Sequence, residues 1–326
     1  MLRLYNEITI GGSTYTGAIS VEIVSSWELF TDTAVIELAT NFHNENKTIA
    51  DQIKVGDAVT IELGYYPNSD IIFTGFVSKV EPTSFITIHC EDYMWKLKQI
   101  TVPDYVSNSV DIKTLLESFS LPIDFEVDNK ELGKVRFKST TVTKILSKLK
   151  DSFGIISYIR DGVLVVNYTD RTDAINRKFY LNGELGNVIS DNLTYLDVDL
   201  VDFNIKGVSF QSDDTTIELY ANYKDGVINV VEDEPETGAF RVFNFLRLTK
   251  AELTTNLEAL LPKFYYDGFT GDFTTFLRPV VRFGDTVTLY DLKLPEKNGT
   301  YKVKKVVTTF NLSGGRQIID LDLKIN

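Results

Sequence analysis

The chain has 326 residues, a formal net charge of −13, 43% hydrophobic residues and 24% charged residues. This length favours two or three domains over one. The hydrophobic content is sufficient for a folded core, which argues against a disordered chain. Proteins that hold nucleic acid by its phosphates carry a basic patch. None is evident here, so the composition argues against a nucleic-acid-binding protein.

The chain contains one cysteine, Cys90, so no disulfide can form within it. This is consistent with a reducing compartment. The N-terminal sequence MLRLYNEITIGG has neither the basic start nor the apolar run of a signal peptide, and it carries no lipidation motif. No stretch approaches the roughly 18 apolar residues of a membrane-spanning helix, so we expect no membrane insertion.

Residues 1–100 are predicted to form a first β-barrel domain that resembles a tube segment. Apolar and polar residues alternate along segments rich in Val, Ile and Thr, which is typical of strands with one buried face. The loop Gly64–Asp70 is interpreted as a hairpin connection. The predicted strands are Glu7–Ile10, Ile19–Val24, Ala34–Ala39, Ala58–Leu63, Ile71–Val80 and Ile86–Cys90.

Residues 101–185 are predicted to form a small α+β insert with the order β-α-β-β-α-β-β. A first helix is expected near residues 110–119 with Ser109 as its N-cap. A second apolar helical face begins at Val142 and ends at Gly154. The stretch ISYIRDGVLVVNY predicts a hairpin that turns at Asp161-Gly162.

Residues 186–326 are predicted to form a second β-barrel domain of the same type, with a helical excursion near 249–262. Thr249 and Glu252 have the spacing of a capping box, so a helix is expected from Lys250 to Leu261. The rest of this region returns to the alternating pattern of strands. The predicted fold class is therefore mainly β, with two related barrels separated by an α+β insert.

The relation between the barrels rests on an internal repeat. Gly56–Ile61 reads GDAVTI, and Gly284–Leu289 reads GDTVTL. Each copy leads through a turn-rich loop into a strand predicted to end in Lys-Val, at Lys79-Val80 and at Lys305-Val306. Each copy then closes with an alternating strand. The order of strand, loop, strand, turn and strand is the same in both.

The Gly-Asp pairs of this repeat have a structural explanation. Glycine adopts backbone angles that other residues avoid, and aspartate can accept hydrogen bonds from backbone amides in a turn. Gly56, Asp57, Gly284 and Asp285 are therefore interpreted as turn residues that carry no chemistry of their own. Two similar barrels in one chain indicate quasi-symmetry. Three such chains would present six similar barrels in a ring closed by head-to-tail contacts.

The C-terminal region also resembles a known family. The segments FYYDGFTGDFTTFLRPVVRFGDTVTLYD and NGTYKVKKVVTTFNLSGGRQIIDLDLKI are similar to the C-terminal barrel of baseplate hub proteins of contractile phage tails and related injection machines. These are also called the late control protein D or spike-hub family. Near the N-terminus, SSWELFTDTAVIELATNF resembles the first barrel of that family. The matching positions are Gly268, Gly271, Pro279, Gly284, Asp285, Gly299, Tyr301 and Gly314.

This resemblance implies a homotrimeric hub that joins a hexameric tail tube to a trimeric central spike in the baseplate of a virion tail or injection machine. The implied partners are the tube protein, the spike protein and other baseplate proteins, with DNA or an effector only passing through a channel. Synthesis would take place in the bacterial cytoplasm without a signal peptide. Some relatives carry the spike on the same chain. This chain ends at Asn326 without one, so a separate spike is expected.

The sequence predicts no catalytic, cofactor-binding or metal-binding residues. His43 and His89 are the only histidines, and neighbours such as His89 and Cys90 face opposite sides of a strand. No zinc spacing, P-loop or dinucleotide motif is present. The acidic clusters at Asp197–Asp202 and Glu232–Glu236 do not follow a calcium-loop pattern and are interpreted as solvated loop charge. The chain is therefore predicted not to be an enzyme.

Two other function classes compete with the hub. The first is a carbohydrate-binding or host-surface-binding β protein such as a tail-tip adhesin, because tyrosine pairs such as Tyr65-Tyr66 and Tyr265-Tyr266 could stack on sugars. The second is a hydrolase. Assembly into a ring would favour the hub, glycan binding as a monomer would favour the adhesin, and turnover lost on one carboxylate substitution would favour the enzyme.

Overall fold

The structure is a computed structural model that describes residues 3–39, 52–82, 84–167, 174–197, 203–211, 215–224, 227–236 and 239–325. Strands account for most of its regular structure, which confirms the mainly β fold class predicted from the sequence. Among the residues described, no helix is both long enough and apolar enough to cross a membrane.

Seven strands form what we call the N-terminal unit: β1 (Leu4–Ile10), β2 (Ser13–Tyr15), β3 (Ser20–Ser26), β4 (Thr33–Ala39), β5 (Ala58–Tyr65), β6 (Asn68–Pro82) and β7 (Phe85–Glu91). Their order in the sheet is β3-β4-β7-β6-β5-β1-β2, with antiparallel neighbours throughout. Alternate side chains enter one core, as shown by Ile86, Ile88 and Cys90, which are all buried in β7.

The middle of the chain forms a second body, here called the insert. Its core lies between three helices and the short strands beside them. Its elements are α1 (Met94–Leu97), β8 (Thr101–Val102), β9 (Tyr105–Asp111), α2 (Ile112–Glu117), β10 (Phe125–Val127), β11 (Glu131–Phe137), β12 (Thr140–Thr141), α3 (Val142–Phe153), β13 (Ser157–Arg160) and β14 (Val163–Val166).

Helix boundaries in the insert follow local chemistry, with one correction. The predicted N-cap Ser109 is wrong, because Ser109 lies within β9, before the helix begins. Asp111 caps α2 instead, and its carboxylate accepts the Thr114 N–H at 2.9 Å. The predicted stop of α3 is confirmed, since Gly154 ends it with a left-handed φ of 67°.

The Asp161-Gly162 hairpin is also confirmed. Both residues have positive φ, 50° and 80°, as a two-residue turn between antiparallel strands requires. The strands joined by this turn are β13 and β14.

After the insert, seven strands and a helix follow: β15 (Asn176–Tyr180), β16 (Val188–Asp191), β17 (Thr194–Leu196), β18 (Phe203–Phe210), β19 (Thr216–Lys224), β20 (Val227–Val231), β21 (Ala239–Leu246) and α4 (Lys250–Leu260). Strands β18–β21 form a separate four-stranded sheet, which we call the accessory sheet. Leu253 and Leu257 of α4 pack against it. Thr249 and Glu252 form the predicted capping box.

Strands β15–β17 and five later strands form what we call the C-terminal unit. The later strands are β22 (Gly268–Thr270), β23 (Asp272–Phe276), β24 (Thr286–Tyr290), β25 (Gly299–Asn311) and β26 (Gly314–Lys324). Two 3-10 turns, Leu261–Lys263 and Pro295–Lys297, lie between these elements. Strand β15 precedes the predicted domain limit at residue 186 but pairs in parallel with β24. The domain limits themselves stay a prediction.

The two units share one 13-stranded sheet and have separate cores. They meet where β3 pairs with residues 305–311 of β25. Each unit therefore has its own hydrophobic interior, and a backbone ladder connects the two.

Candidate functional site

The two Gly-Asp turns of the repeat make the same backbone hydrogen bonds. Gly56 donates its N–H to the Val77 carbonyl at 2.8 Å, and Gly284 donates to the Val303 carbonyl at the same distance. Both glycines have positive φ, 94° and 82°, which other residues adopt at a cost. Glycine is therefore required at both positions for a conformational reason.

The aspartates of the two turns also make matching bonds. The Asp57 carboxylate accepts the Lys54 N–H at 2.8 Å, and the Asp285 carboxylate accepts the Arg282 N–H at 3.0 Å. Each side chain thus bonds a backbone amide three residues earlier and closes its turn.

Strand register agrees between the units beyond these turns. Ala58 pairs with Phe76 in the first unit, and Thr286 pairs with Lys302 in the second. The next three pairs along each hairpin also correspond. The repeat therefore extends from the turn into the strand ladder.

The Lys-Val motifs follow equivalent irregularities. A register shift precedes Lys79 in the pairing of β6 with β7, and another precedes Lys305 in the pairing of β25 with β26. Beyond the shift, Val80 pairs with Ile88 and Val306 pairs with Ile319.

One aromatic side chain of each unit occupies the space above a glycine, but the two residue types are exchanged. Position by position, Phe73 and Gly75 in β6 correspond to Gly299 and Tyr301 in β25. A Cβ placed on Gly75 would lie 2.7 Å from the Phe73 ring, and one on Gly299 would lie 2.8 Å from the Tyr301 hydroxyl. Each unit thus has one aromatic residue and one glycine, two positions apart, on the same face of the strand.

Tyr301 anchors the other family positions around it. It is completely buried, and its hydroxyl accepts the Phe269 N–H at 2.8 Å. A Cβ on Gly268 would lie only 2.7 Å from the same hydroxyl. Burial raises the pKa of Tyr301, so the phenol stays neutral.

The remaining family positions shape loops. Gly271 has a φ of 105°, and a Cβ there would lie 2.4 Å from the Asn192 carbonyl oxygen. Gly314 has a φ of 139° in the turn between β25 and β26. The Pro279 carbonyl accepts the side-chain N–H of the buried Gln317 at 2.9 Å, which fixes the loop before the second turn.

The second turn also anchors the insert. The Arg160 guanidinium lies 3.2 Å from the Asp285 carboxylate, and their side chains are 9% and 4% exposed. Arg160 donates a further bond to the Phe283 carbonyl at 3.0 Å. Beside it, Arg282 contacts the Asp161 carboxylate at 2.6 Å. Two ion pairs therefore connect the insert hairpin to the C-terminal unit.

An aromatic cluster completes this contact. The rings of Tyr158 and Phe283 meet edge to face with centroids 5.1 Å apart. Trp27 of the N-terminal unit packs against the same cluster, so all three bodies meet at this point.

A cavity of about 480 Å³ lies at this three-body junction. Strands β3 and β25 contribute Ile23 and Val306, and the insert hairpin contributes Arg160. Three acidic residues, Asp32, Asp92 and Asp161, also line it.

Asp32 and Asp92 each accept hydrogen bonds from backbone amides, and the Asp32 carboxylate accepts the Ser26 N–H at 3.3 Å. The Asp92 carboxylate accepts the N–H groups of Asp32 at 3.0 Å and Met94 at 2.9 Å. Burial raises the pKa of Asp92 to about 8, and the nearby Asp32 carboxylate adds to this rise. Burial also raises the pKa of Asp32 to about 6, opposed by Ser25 and Arg160.

The residues considered for chemistry lie apart from this junction. His89 and Cys90 face opposite sides of β7, as predicted, because His89 contacts Glu81 at 3.4 Å while Cys90 is buried in the core. Burial raises the pKa of the Cys90 thiol to about 12. His43 lies outside the described residues, as do Asp199 and Asp202.

The acidic loop after β20 contacts neighbouring side chains: Glu232 pairs with Lys250, and Glu234 accepts a 3.4 Å bond from the Tyr220 hydroxyl. In the described part of the chain, no group of three His, Cys, Asp or Glu side chains is arranged to hold a metal ion.

Sequence reasoning missed the residues that build the junction. Arg160 precedes the Asp161-Gly162 turn, but nothing in its neighbourhood indicates that Asp285, 125 positions away, is its partner. Asp32 and Asp92 stand at strand ends, where acidic residues are common. Their burial follows only from the packing of the three bodies.

Solved structures share this fold over nearly the whole chain. A tail protein from Neisseria meningitidis MC58 matches with a TM-score of 0.63 at 15% identity, covering 99% of this chain and 97% of that one. The 43 kDa tail protein of prophage MuSo2 from Shewanella oneidensis matches at 0.61 and 16%, covering 98% and 97%. The chain has the fold of prophage tail proteins.

The tail-protein fold also occurs in secretion machinery. An Escherichia coli component of the type VI secretion system, reported as structurally similar to phage T4 tail proteins gp27 and gp5, matches with a TM-score of 0.57 at 9% identity. The match covers 97% of this chain and 76% of that one. Neither a protein-family model nor a curated protein matches the sequence.

Proposed function

We propose that the chain is the hub of a phage-tail or phage-tail-like baseplate, and that it works as a homotrimer. The observation that carries the proposal is the edge-to-edge joining of two equivalent sheet units within one chain. The tail-protein fold over the whole chain supports the same conclusion.

Two equivalent units per chain explain how a trimer could match the six subunits of a hexameric tail tube. A contact between non-identical edges repeats around an axis until it closes. Three chains with two units each then present six similar surfaces to a hexameric tail tube. The insert and the accessory sheet occur once per chain, so they present three copies to a trimeric spike.

The proposed partners are the tube protein, the spike protein and other baseplate proteins, and the location is the baseplate of a virion tail or injection machine. The central channel would pass DNA or an effector without retaining it. The net charge of −13 supports this role, since like charge repels phosphate at short range.

The test is the mass of the purified full-length protein in solution, followed by electron microscopy of the same fraction. We expect a mass of three times 36.9 kDa and a ring of six lobes around a hole. A protein that stays monomeric at every concentration, or an assembly without a central hole, would contradict the proposal.

A further inference from the structure

The join between the two units offers a template for contacts between chains. Val24 of β3 lies opposite Val307 of β25 in this antiparallel pairing. Ile23 and Val306, the residues just before them, are each only 3% exposed. One strand edge of the N-terminal unit is thus fully covered by the C-terminal unit.

The equivalence of the units identifies the counterpart of β3. Val80 and Val306 hold the same register, so their partners Ile88 and Ile319 are equivalent. Ile88 pairs with Ile36 of β4, and Ile319 pairs with Phe273 of β23. Strand β4 therefore corresponds to β23 and to β22, which precedes it.

The next strand outward corresponds as well. Val24 pairs with Thr33, and Thr194 of β17 pairs with Thr270 of β22. Thr33 and Thr270 each lie three residues before the equivalent pair Ile36 and Phe273. Strands β16 and β17 together therefore occupy the position of β3.

The counterpart of the distal half of β25 is the distal half of β6. Counting one residue beyond Val80 and Val306 makes Glu81 the equivalent of Val307. Strands β5 and β7 lie on opposite edges of β6. The β5 edge is paired only as far as Phe76, whereas the β7 edge is paired as far as Pro82. Strand β17 pairs with β22, and no other strand of the described chain pairs with it.

We propose that residues 193–196 of one chain, which include β17, pair antiparallel with residues 79–82 of β6 in a second copy of this chain, with Thr194 opposite Glu81. The inference rests on the proposed function for the identity of the partner, and it names the contact that holds the copies together. It reproduces between chains the join that β3 and β25 make within one chain.

Exposure supports this pairing. Leu193 and Val80 are only half-buried, whereas their equivalents Ile23 and Val306 are 3% exposed. A strand added at each edge would cover these two apolar side chains in the way that the internal join covers their equivalents.

The two joins differ in polarity. The internal pair Val24–Val307 is aliphatic, whereas the proposed pair Thr194–Glu81 is polar. Pro82 also limits the length of the ladder, since proline donates no backbone hydrogen bond. The contact between chains is thus shorter and more polar than the contact within a chain, as expected for a chain that folds first and assembles afterwards.

The pairing is head to tail, because the β17 edge and the β6 edge are different surfaces. Every copy offers both edges, so the contact repeats around a ring and leaves neither of these two edges unmatched. Closing the ring also removes exposed strand edges, which otherwise promote aggregation.

Cysteine cross-linking of the full-length protein tests the register. The double variant Thr194→Cys/Glu81→Cys is oxidised with copper phenanthroline and examined on a non-reducing gel. We expect covalent species of two and three chains. The matched control is Val24→Cys/Val307→Cys, which places the same pair in the internal join and should cross-link within single chains. Cys90 is 1% exposed, so the wild-type chain serves as the blank.

Mixing the single variants tests the direction of the contact. Thr194→Cys and Glu81→Cys should each stay uncrosslinked alone and should form a two-chain product when mixed. A product from either variant alone would overturn the head-to-tail pairing.

Measuring the native mass of the same samples separates this inference from the hub proposal. A three-chain ring whose test pair does not cross-link, while the control pair does, overturns the pairing and leaves the hub intact. A cross-linked pair in an open filament supports the pairing and contradicts the hub. A monomer without cross-links at the highest soluble concentration overturns both.

Discussion

The two Gly-Asp turns share their internal hydrogen bonds and differ in what covers them. Trp95 of α1 packs over the first turn, 3.1 Å from the position of a Cβ on Gly56, and Asp57 stays half-exposed. The insert hairpin covers the second turn, where Asp285 is buried against Arg160. The same local motif thus closes a loop in one unit and, in the other, also holds a separate body in place.

The outermost strands show a second difference between the units. In the N-terminal unit β1 runs antiparallel to β5, and in the C-terminal unit β15 runs parallel to β24. The shared part of the units is therefore the hairpin system around the turn, and the direction of the strand beyond it differs between the units.

Removing the two aspartates should give the largest difference. Asp285→Ala leaves the Arg160 charge buried without its partner, so we expect a loss of about 3–5 kcal/mol in the free energy of unfolding. Asp57→Ala removes a half-exposed turn bond and should cost about 1 kcal/mol. Urea unfolding measures both, and equal losses would contradict the different roles assigned to the turns.

The two tryptophans allow each turn to be followed separately. Trp27 lies in the cluster beside the second turn, and Trp95 lies on the first. In a Trp95→Phe background, Asp285→Ala should shift the Trp27 fluorescence transition to lower urea. In a Trp27→Phe background, the Trp95 transition should move less. Asp285→Asn is the control that keeps an acceptor and removes the charge.

The exchanged aromatic and glycine positions predict unequal costs for alanine. A Cβ on Gly75 would lie 2.2 Å from the Glu91 carbonyl oxygen, which is backbone and cannot turn away. A Cβ on Gly299 meets mainly the Tyr301 side chain. We expect Gly75→Ala to cost about 3 kcal/mol and Gly299→Ala about 1–2 kcal/mol, the range for overpacked interiors.

Thermal unfolding measures both glycine variants. Adding Tyr301→Phe to Gly299→Ala should recover part of the loss, because the nearest clashing atom is the hydroxyl. If the double variant loses more stability than the two single variants lose together, this packing explanation is contradicted.

Stability should fall as pH rises, because the pKa values of two acids at the junction are raised in the folded chain. The pKa of Asp32 is raised from 3.8 to about 6 and that of Asp92 to about 8. The folded chain therefore keeps protons that the unfolded chain loses above about pH 4. The stabilisation is complete below that pH and is lost as pH rises through the folded pKa values, by at most about 1.4 kcal/mol per pH unit for each group.

Denaturant unfolding between about pH 5 and about pH 9 measures this slope. Asp92→Asn removes one titrating group and should flatten the profile. An unchanged profile in this variant would show that other groups cause the pH dependence. Asp161→Asn, at the exposed ion pair beside the cavity, is the control and should leave most of the slope.

The smallest expected difference concerns the Lys-Val motifs. Val306→Ala removes two methyl groups from a side chain 3% exposed and should cost about 2 kcal/mol. Val80→Ala acts on a half-buried side chain and should cost about half as much in the isolated chain. If assembly covers Val80, the two losses should become similar in the ring, which thermal unfolding at low and high protein concentration can measure.

Local patterns in the sequence predicted the local structures well. The Asp161-Gly162 turn, the Gly154 stop and the Thr249–Glu252 capping box depend on residues that are neighbours along the chain, so their spacing carries the information. Ser109 failed as an N-cap because both Ser109 and Asp111 suit that position. The strand pairing of β9 with β11 decided between them.

The sequence predicted strands in the region of the accessory sheet but assigned them to the second barrel, not to a separate sheet. Its parallel pairing of β18 with β21 joins residues more than thirty positions apart, and no turn signal connects them. Periodicity indicates that a strand is present. It does not identify a strand's partner.

The sequence by itself determined that the chain is mainly β, that a Gly-Asp turn and its following strands occur twice, and that a helical segment separates the copies. Each of these depends on backbone angles, alternation or spacing within a short window. Only the tertiary structure decided that β3 and β25 merge the two units, that Arg160 neutralises Asp285, and that Asp32 and Asp92 meet at the junction cavity. These contacts join distant segments, and their energies come from burial and charge pairing, which exist only once the bodies pack.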